Sequence, residues 1–336
     1  MLDFIGGQMR NSFYNNSISL AMCTCDGSNY LNEQLDSISN QSKLTAELVV
    51  FDDVSADSTV ALIKNFTKIA PFPVKLFRNK RRLGTVQNFS QAIRVCKSDY
   101  IALCDQDDIW LPNKLELSLK AMKEAEEEYG SQLPLLVHTD LAVIDAGGKK
   151  IAPSFIKLRR INPYDDKPLP RLLAQNFVTG NTVLINRPLA EAALPIPEEA
   201  MMHDWWLALV AAAAGKLIFI EQPTVLYRQH RTNVIGAGGF FTMENIRRLV
   251  DFKKMEKEVA GSLKQAKALK QHLEEKRLEP PLWLSDFLSR ITGGGMEALR
   301  ATRRNRVYKQ GFIRDTIYKI LLLKGGYLKY LDQANY

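Results

Sequence analysis

The chain has 336 residues, of which 46% are hydrophobic and 24% are charged, a composition typical of folded proteins. This length suffices for one large domain with an appendage, or for two domains. The sequence lacks both the apolar run of about 18 residues that marks a transmembrane helix and an N-terminal secretory signal. Its four cysteines form no C-x-x-C pair, which favours free thiols over a zinc site. We therefore expect a cytoplasmic protein.

The net charge of +8 belongs to the C-terminal third of the chain. From residue 241 onward there are 20 basic and 11 acidic residues, whereas residues 1–240 hold 25 basic and 26 acidic residues. A basic segment attracts anionic lipid or nucleic acid. Because this segment contains no recognised nucleic-acid module, we expect no nucleic-acid partner.

Strands and helices alternate along the first 130 residues. Apolar runs predict strands at 18–24, 48–51, 74–77 and 100–104, and apolar residues at helical spacing follow each of them. Ser55 is expected to cap the second helix, and Pro112 to open a helix of about sixteen residues. This alternation predicts an α/β fold with a doubly wound, mostly parallel sheet, in which ligands bind at the carboxyl ends of the strands.

Beyond residue 130 the pattern becomes mixed. Strands are predicted at 135–137, 141–144, 182–185, 217–220 and 224–227, and helices at 203–214, 241–276 and 307–323. The predicted units are a leader (1–16), an α/β domain (17–240) and a basic, mainly helical extension (241–336). The amphipathic extension fits either peripheral membrane contact or packing on the domain.

Three strand ends carry polar clusters: Thr24–Gly27, Asp52-Asp53 and Asp105–Asp108. Carboxylates this close together repel one another, and a bound Mg²⁺ or Mn²⁺ removes that cost. Such a cation can neutralise a diphosphate leaving group. The alternative for Asp105–Asp108 is a solvated acidic turn, and for Asp52-Asp53 a helix cap.

Further candidates lie in the second half of the chain. Asp204 can act as a general base at the start of a helix, or it can simply favour the helix dipole. His230 is a third metal ligand, a diphosphate contact shared with Arg231, or a surface histidine. Trp205 and its neighbour Trp206 are more often core residues than sugar platforms.

Taken together, residues 17–236 resemble family 2 glycosyltransferases of the GT-A fold. The segment from Phe51 to Thr59 is similar to the family's V-D-D-G-S-x-D-x-T motif, and Cys104–Trp110 to its D-x-D motif. His203-Asp204 resembles its E-D motif, and Arg228–Asn233 the later loop that closes on the donor. Val54 stands where glycine is usual, and His203 where glutamate is usual.

The resemblance implies a role for each matching position. Thr24 and Asp53 would bind the base of a nucleotide-sugar donor, and Asp105 its ribose or the metal side. Asp107 would bind the metal. His230 and Arg231 would contact the donor diphosphate, with His230 also a metal ligand. The acceptor side would comprise Gly180, Asn181 and Trp205, with Asp204 as the catalytic base.

The resemblance implies an inverting transfer that needs a divalent cation, Mg²⁺ or Mn²⁺. The segments around Asp105 and Asp204 look most like the bacterial rhamnosyltransferase branch. That branch implies dTDP-rhamnose as the donor, a glycan or lipid-linked glycan as the acceptor, and a place at the inner face of the plasma membrane. Two alternatives stay open: a non-catalytic protein of the same fold, and a nucleotidyltransferase.

Overall fold

A computed structural model of the chain describes residues 16–164, 166–230 and 251–331. Nine strands form one sheet within this part of the chain. They are β1 (Ile18–Thr24), β2 (Glu47–Asp52), β3 (Val74–Arg78), β4 (Tyr100–Cys104), β5 (Ile109–Trp110), β6 (Leu135–Asp145), β7 (Lys150–Ala152), β8 (Leu184–Asn186) and β9 (Lys216–Gln229).

The strands lie in the order β3-β2-β1-β4-β8-β6-β9-β5, with β7 beside β6. The first four are parallel, as expected for strands such as β2 and β4 that are buried on both faces. Strand β8 runs antiparallel to both of its neighbours. The predicted α/β class is confirmed, with a sheet that is parallel over its first half and mixed beyond.

Helices flank the sheet and form the C-terminal part of the described chain. They are α1 (Leu31–Ser39), α2 (Thr59–Phe66), α3 (Gly84–Val95), α4 (Lys114–Tyr129), α5 (Phe155–Arg159), α6 (Leu169–Ala174), α7 (Arg187–Ala193), α8 (His203–Ala214), α9 (Phe252–Glu275), α10 (Leu282–Ile291), α11 (Gly295–Arg304) and α12 (Phe312–Lys324). Helix α4 has the 16 residues expected after Pro112.

Some predicted element boundaries were wrong. Ser55 does not cap α2, because its hydroxyl donates to Asp52 and the helix begins at Thr59. Four of the five strands predicted after residue 130 merge into β6 and β9, which pair in parallel with register shifts around Asp140, and the fifth, at 182–185, corresponds to the shorter β8. Helix α12 starts at Phe312 rather than at residue 307. The leader up to residue 15 and residues 241–250 of the predicted helix lie outside the described residues.

The hydrophobic core has two parts, one on each face of the sheet. Alternate residues of β1 divide between them, since successive side chains of a strand point to opposite faces. The larger part also contains Leu263, Ala266 and Leu269 of α9. The helical extension therefore packs on the domain, which is one of the two alternatives that the sequence left open. No helix within the described ranges is long and apolar enough to cross a membrane.

Candidate active site

The polar clusters that follow β1, β2 and β4 meet at one edge of the sheet. These strands are adjacent and parallel, so their carboxyl ends lie side by side. The Asp53 backbone N–H donates to Thr24 O at 2.7 Å. The Gln106 side chain accepts from Cys25 N at 2.8 Å and donates to Cys25 O at 3.0 Å. The convergence predicted from the sequence is thus present in the structure.

The predicted base-binding residues are held by neighbouring protein groups. Asp53 accepts hydrogen bonds from Leu83 N at 2.8 Å and Gly84 N at 2.9 Å, at the beginning of α3. A carboxylate at this end of a helix is stabilised by the unpaired N–H groups and the helix dipole. Thr24 is buried and donates to Asp52 Oδ2 at 3.1 Å. Both residues shape this end of the site, and their contact with a base stays a prediction.

Val54 has the backbone conformation that glycine provides in the related motif. Its φ is 62°, in the left-handed region that β-branched residues rarely adopt. The main chain after Asp53 therefore adopts a left-handed conformation even though valine stands in place of glycine. Strain of this kind at a strand end is a frequent feature of binding loops.

The acidic cluster divides into residues with different surroundings. Asp108 is fully buried: its Oδ1 accepts from Arg228 N at 2.9 Å, and its Oδ2 accepts from the Asn181 side chain. Burial, followed by the charges of Asp107 and Asp105, raises the pKa of Asp108 well above its usual range. Asp108 therefore connects three segments of the fold, and each of its oxygens already accepts a hydrogen bond from the protein.

Asp105 lies within electrostatic reach of both Asp107 and the predicted base, Asp204. Burial, together with the negative charges of Asp107 and Asp204, raises the pKa of Asp105 to about 8. The carboxyl groups of two segments almost 100 residues apart in sequence therefore share one electrostatic environment. Perturbed carboxyl groups of this kind concentrate at functional sites.

Asp107 pairs with His230 across the site. Asp107 Oδ2 lies 2.9 Å from His230 Nε2, and both side chains are partly accessible. The ring of Tyr30 stacks on the His230 ring, with centroids 4.9 Å apart. The structure thus brings together the two predicted metal ligands, although they are 123 positions apart in the chain.

The donor atoms of this pair fit a divalent cation. Two ligand atoms at right angles on Mg²⁺ or Mn²⁺, each about 2.1 Å from it, are about 3 Å apart, which is close to the observed spacing. No group of three or more His, Cys, Asp or Glu side chains with metal-binding geometry occurs within the described residues. A cation held by Asp107 and His230 would therefore take its remaining ligands from water or donor oxygens, as Mg²⁺ commonly does.

Arg228 is a central residue that the sequence analysis did not select. Its buried guanidinium donates to Glu33 Oε2 at 2.7 Å, Asp107 O at 3.0 Å and Ala146 O at 3.1 Å. It also lies over the Tyr30 ring, 4.7 Å from the centroid. Arg228 thereby fixes the end of β9, and with it His230, against the acidic loop and α1.

The predicted base lies at the beginning of α8. Asp204 accepts from Gly180 N at 2.9 Å, Trp205 N at 2.6 Å and the Asn176 side chain at 3.2 Å. Burial raises its pKa to about 6, although these hydrogen bonds oppose the shift. A carboxyl group with this pKa is ionised at neutral pH and can still accept a proton during a reaction.

The other predicted acceptor-side residues have different positions. Gly180 and Asn181 lie directly beside Asp204 and Asp108, in a short 3-10 turn (Gly180–Thr182). Trp205 instead belongs to the core and its indole N–H donates to Leu172 O at 2.6 Å, so its acceptor role has no geometric support. Arg231 lies outside the described residues.

His203, which replaces the usual glutamate, is a buried core residue. Its ring stacks on Phe89 with centroids 3.8 Å apart. Burial lowers its pKa to about 3, which keeps the imidazole neutral at physiological pH. A neutral His203 adds no charge beside Asp204. The histidine in place of the usual glutamate therefore forms no ion pair with the ionised carboxylate of the base.

A sheet that is parallel over its first four strands, with carboxylates gathered at their ends and a helical extension, defines an α/β protein of the GT-A class. Residues 19–132 match the family model for "Glycosyl transferase family 2". The chain therefore carries a family 2 glycosyltransferase domain.

A relative described as a rhamnosyl transferase agrees with this assignment, and a solved structure shares the fold. The chain is 25% identical to dTDP-rhamnosyl transferase RfbG of Shigella flexneri, over 64% of this chain and 74% of that protein. It is also 25% identical to Mycobacterium tuberculosis Rv1520, over 63% of this chain and 59% of the relative. A crystal structure of S. aureus TarS 1-349 in complex with UDP has the same fold, with a TM-score of 0.52 and 15% identity over 95% of this chain and 92% of that one.

Proposed function

We propose that the protein transfers a sugar from a nucleotide-sugar donor to an acceptor hydroxyl, with inversion at the anomeric carbon. The observation that carries the proposal is the placement of the buried carboxylate Asp204 beside Asp105, at the sheet edge that also holds Asp107 and His230. A family 2 glycosyltransferase domain supplies this edge of the sheet. One end of the site thus offers a base, and the other offers groups suited to a diphosphate.

The reaction is a single in-line displacement. The acceptor oxygen attacks the anomeric carbon, and the bond between that carbon and the diphosphate oxygen breaks, with its electron pair leaving on the diphosphate. Asp204 takes the acceptor proton. The three N–H groups that bind its carboxylate hold that carboxylate in place, which reduces the reorganisation that proton transfer requires.

At the end of the site that holds the leaving diphosphate, positive charge is needed to balance the negative charge that develops there. Asp107 and His230 would hold Mg²⁺ or Mn²⁺, which would neutralise the departing diphosphate. Arg228 keeps His230 within reach of Asp107 through its bonds to the acidic loop. Arg231, beyond the described residues, is proposed as a further diphosphate contact.

We further propose dTDP-rhamnose as the donor and a glycan or lipid-linked glycan as the acceptor, in surface polysaccharide biosynthesis at the inner face of the plasma membrane. The 25% identity to the Shigella flexneri rhamnosyl transferase supports this choice of sugar. The basic extension, with 20 basic and 11 acidic residues from position 241 onward, supports a site of action near anionic lipid.

Binding and hydrolysis across a panel of nucleotide sugars, with and without Mn²⁺, test the proposal. We expect one donor to bind in a metal-dependent manner, Asp107→Ala to lose that binding, and Asp204→Asn to bind the donor without turning it over. If no nucleotide sugar binds, the site assignment is wrong and a non-catalytic role of the fold takes its place. If a nucleoside triphosphate and a sugar phosphate react instead, the protein is a nucleotidyltransferase.

A further inference from the structure

The helical extension contains a groove that shares no residue with the acidic site. The groove lies between α9 and α10 and has a volume of about 560 Å³. Its volume is within the range of about 300–1,000 Å³ typical of ligand pockets. The side chains that define its character are Lys264, Lys267 and Lys270 on one side, with Leu263, Leu288 and Ile291 as the apolar part.

The three lysines form one basic row along α9. They are spaced three residues apart, so their side chains follow the same face of the helix. Residues 259–273 contain these lysines and no aspartate or glutamate. Lys270 forms an ion pair with Glu274 at 2.8 Å, beyond the end of that segment.

The apolar part of the groove favours a binding partner that also carries hydrocarbon. Leu263 and Ile291 are buried core residues that reach the groove, and Leu288 is partly buried beside them. Ser285 lines the groove as well, and its hydroxyl can donate a hydrogen bond to a phosphate oxygen, whereas the Thr292 hydroxyl donates to Ser289 O at 2.8 Å. An anion alone would leave the accessible part of Leu288 in water, whereas a molecule with a phosphate and an attached hydrocarbon would cover both Leu288 and the lysines.

We propose that this groove binds the phosphate headgroup of an anionic membrane lipid. The phosphate lies against the lysine row and the first part of the hydrocarbon covers the leucines. The proposal rests on charge complementarity and on the adjoining apolar surface, and it is independent of the sugar-transfer reaction. It assigns the membrane contact expected of the basic extension to a defined set of residues.

Flotation of the full-length protein with vesicles tests the proposal. We expect binding to vesicles of phosphatidylcholine mixed with phosphatidylglycerol, and none to phosphatidylcholine alone. The triple variant Lys264→Gln/Lys267→Gln/Lys270→Gln is expected to bind on the order of a hundredfold more weakly, since each lysine near an anionic surface contributes about fivefold. Leu288→Asn is expected to weaken binding while all three lysines are retained.

The matched control removes the same charge from exposed positions on the same helix, in the triple variant Lys253→Gln/Lys254→Gln/Lys257→Gln. Equal losses in the two triple variants would show that overall charge, rather than the groove, attracts the membrane, and would overturn the proposal. So would an absence of wild-type binding to the anionic vesicles.

Two further measurements complete the test. Calorimetry with inorganic phosphate distinguishes a lipid site from a free-anion site: binding as tight as that to vesicles, lost in the groove variant, would overturn the choice of a lipid. Nucleotide-sugar binding by the groove variant, unchanged from wild type, would show that the variant is folded. It would also separate this proposal from the proposed function.

Discussion

Replacing Asp204 by asparagine separates the catalytic role of this residue from its effect on stability. Burial raises the Asp204 pKa from its ordinary value near 3.8 to about 6. The folded state therefore binds this proton more tightly than the unfolded state, and stability present at low pH is lost as the pH rises through 6. At 1.36 kcal/mol per pKa unit, the raised pKa lowers the free energy of unfolding by about 1 kcal/mol at pH 4.5, where the folded state retains the proton, and by about 3 kcal/mol at pH 7.5, where the carboxylate is buried in its ionised form.

Asparagine has no charge to bury, so this cost disappears in the variant. The amide has one acceptor oxygen for the three N–H donors that the carboxylate binds, and the loss costs about 1–3 kcal/mol at every pH. The absolute change in stability therefore depends on two opposing effects. The change in that difference between pH 4.5 and 7.5 depends on the Asp204 charge, including its effect on Asp105, and is expected to favour the variant by about 2 kcal/mol or more.

Urea unfolding of wild type and Asp204→Asn at both pH values, in the presence of EDTA, measures this change. Asp286→Asn serves as the control, because Asp286 is a partly exposed carboxylate paired with Arg290 at 2.7 Å, so its replacement removes a carboxylate without removing a buried charge. A stability difference that is the same at pH 4.5 and 7.5 would refute the raised pKa. Sugar transfer should be absent from Asp204→Asn at every pH, whereas wild-type kcat/KM should fall about tenfold per pH unit below 6.

Four other substitutions give sharp outcomes. Asp107→Ala and His230→Ala should each weaken Mn²⁺-dependent donor binding by about tenfold or more in calorimetry, with little effect on metal-free stability. Arg228→Lys should lower both Mn²⁺ affinity and kcat, because an ammonium cannot reproduce the directed bonds of the guanidinium; unchanged Mn²⁺ affinity would contradict a positioning role. Lys114 is buried, with its pKa lowered to about 7 by burial, so it destabilises the fold more at low pH. Lys114→Met should therefore gain roughly 3 kcal/mol more stability at pH 6 than at pH 9 in urea unfolding, and an equal gain at both would contradict the lowered pKa.

The first half of the fold could be predicted because its signals are local. Each strand up to β4 is a short apolar run, and each is followed by residues at helical spacing. Parallel strands place their carboxyl ends together, so the convergence of Thr24, Asp53 and Asp105 followed without further information. Strands β6 and β9 were harder to predict as continuous strands, because polar residues interrupt their apolar runs. In the structure these interruptions coincide with irregular strand pairing, which no sequence pattern indicates.

Arg228 could not be singled out from sequence, because its importance comes from segments that are distant in the chain. Glu33, Asp107 and Ala146 provide its partners, and no spacing pattern relates these residues to one another. In the sequence, Arg228 belongs to the basic segment Tyr227–Arg231, which is typical of a surface loop. Only packing shows that its side chain is buried and that it orients His230.

The acidic cluster also shows how packing divides identical side chains into different roles. Asp108 has both oxygens bound by Arg228 and Asn181 and a raised pKa, so it serves the fold. Asp107 faces His230 and remains partly accessible, so among the three it is the one with a second ligand beside it. The repulsion expected from three neighbouring carboxylates thus contributes to the raised pKa values of Asp105 and Asp108, which favour their protonated forms, and Asp107 is the residue left for the proposed cation. The proposed metal site at Asp107 thus agrees with the local environment of this residue as well as with its place in the D-x-D motif.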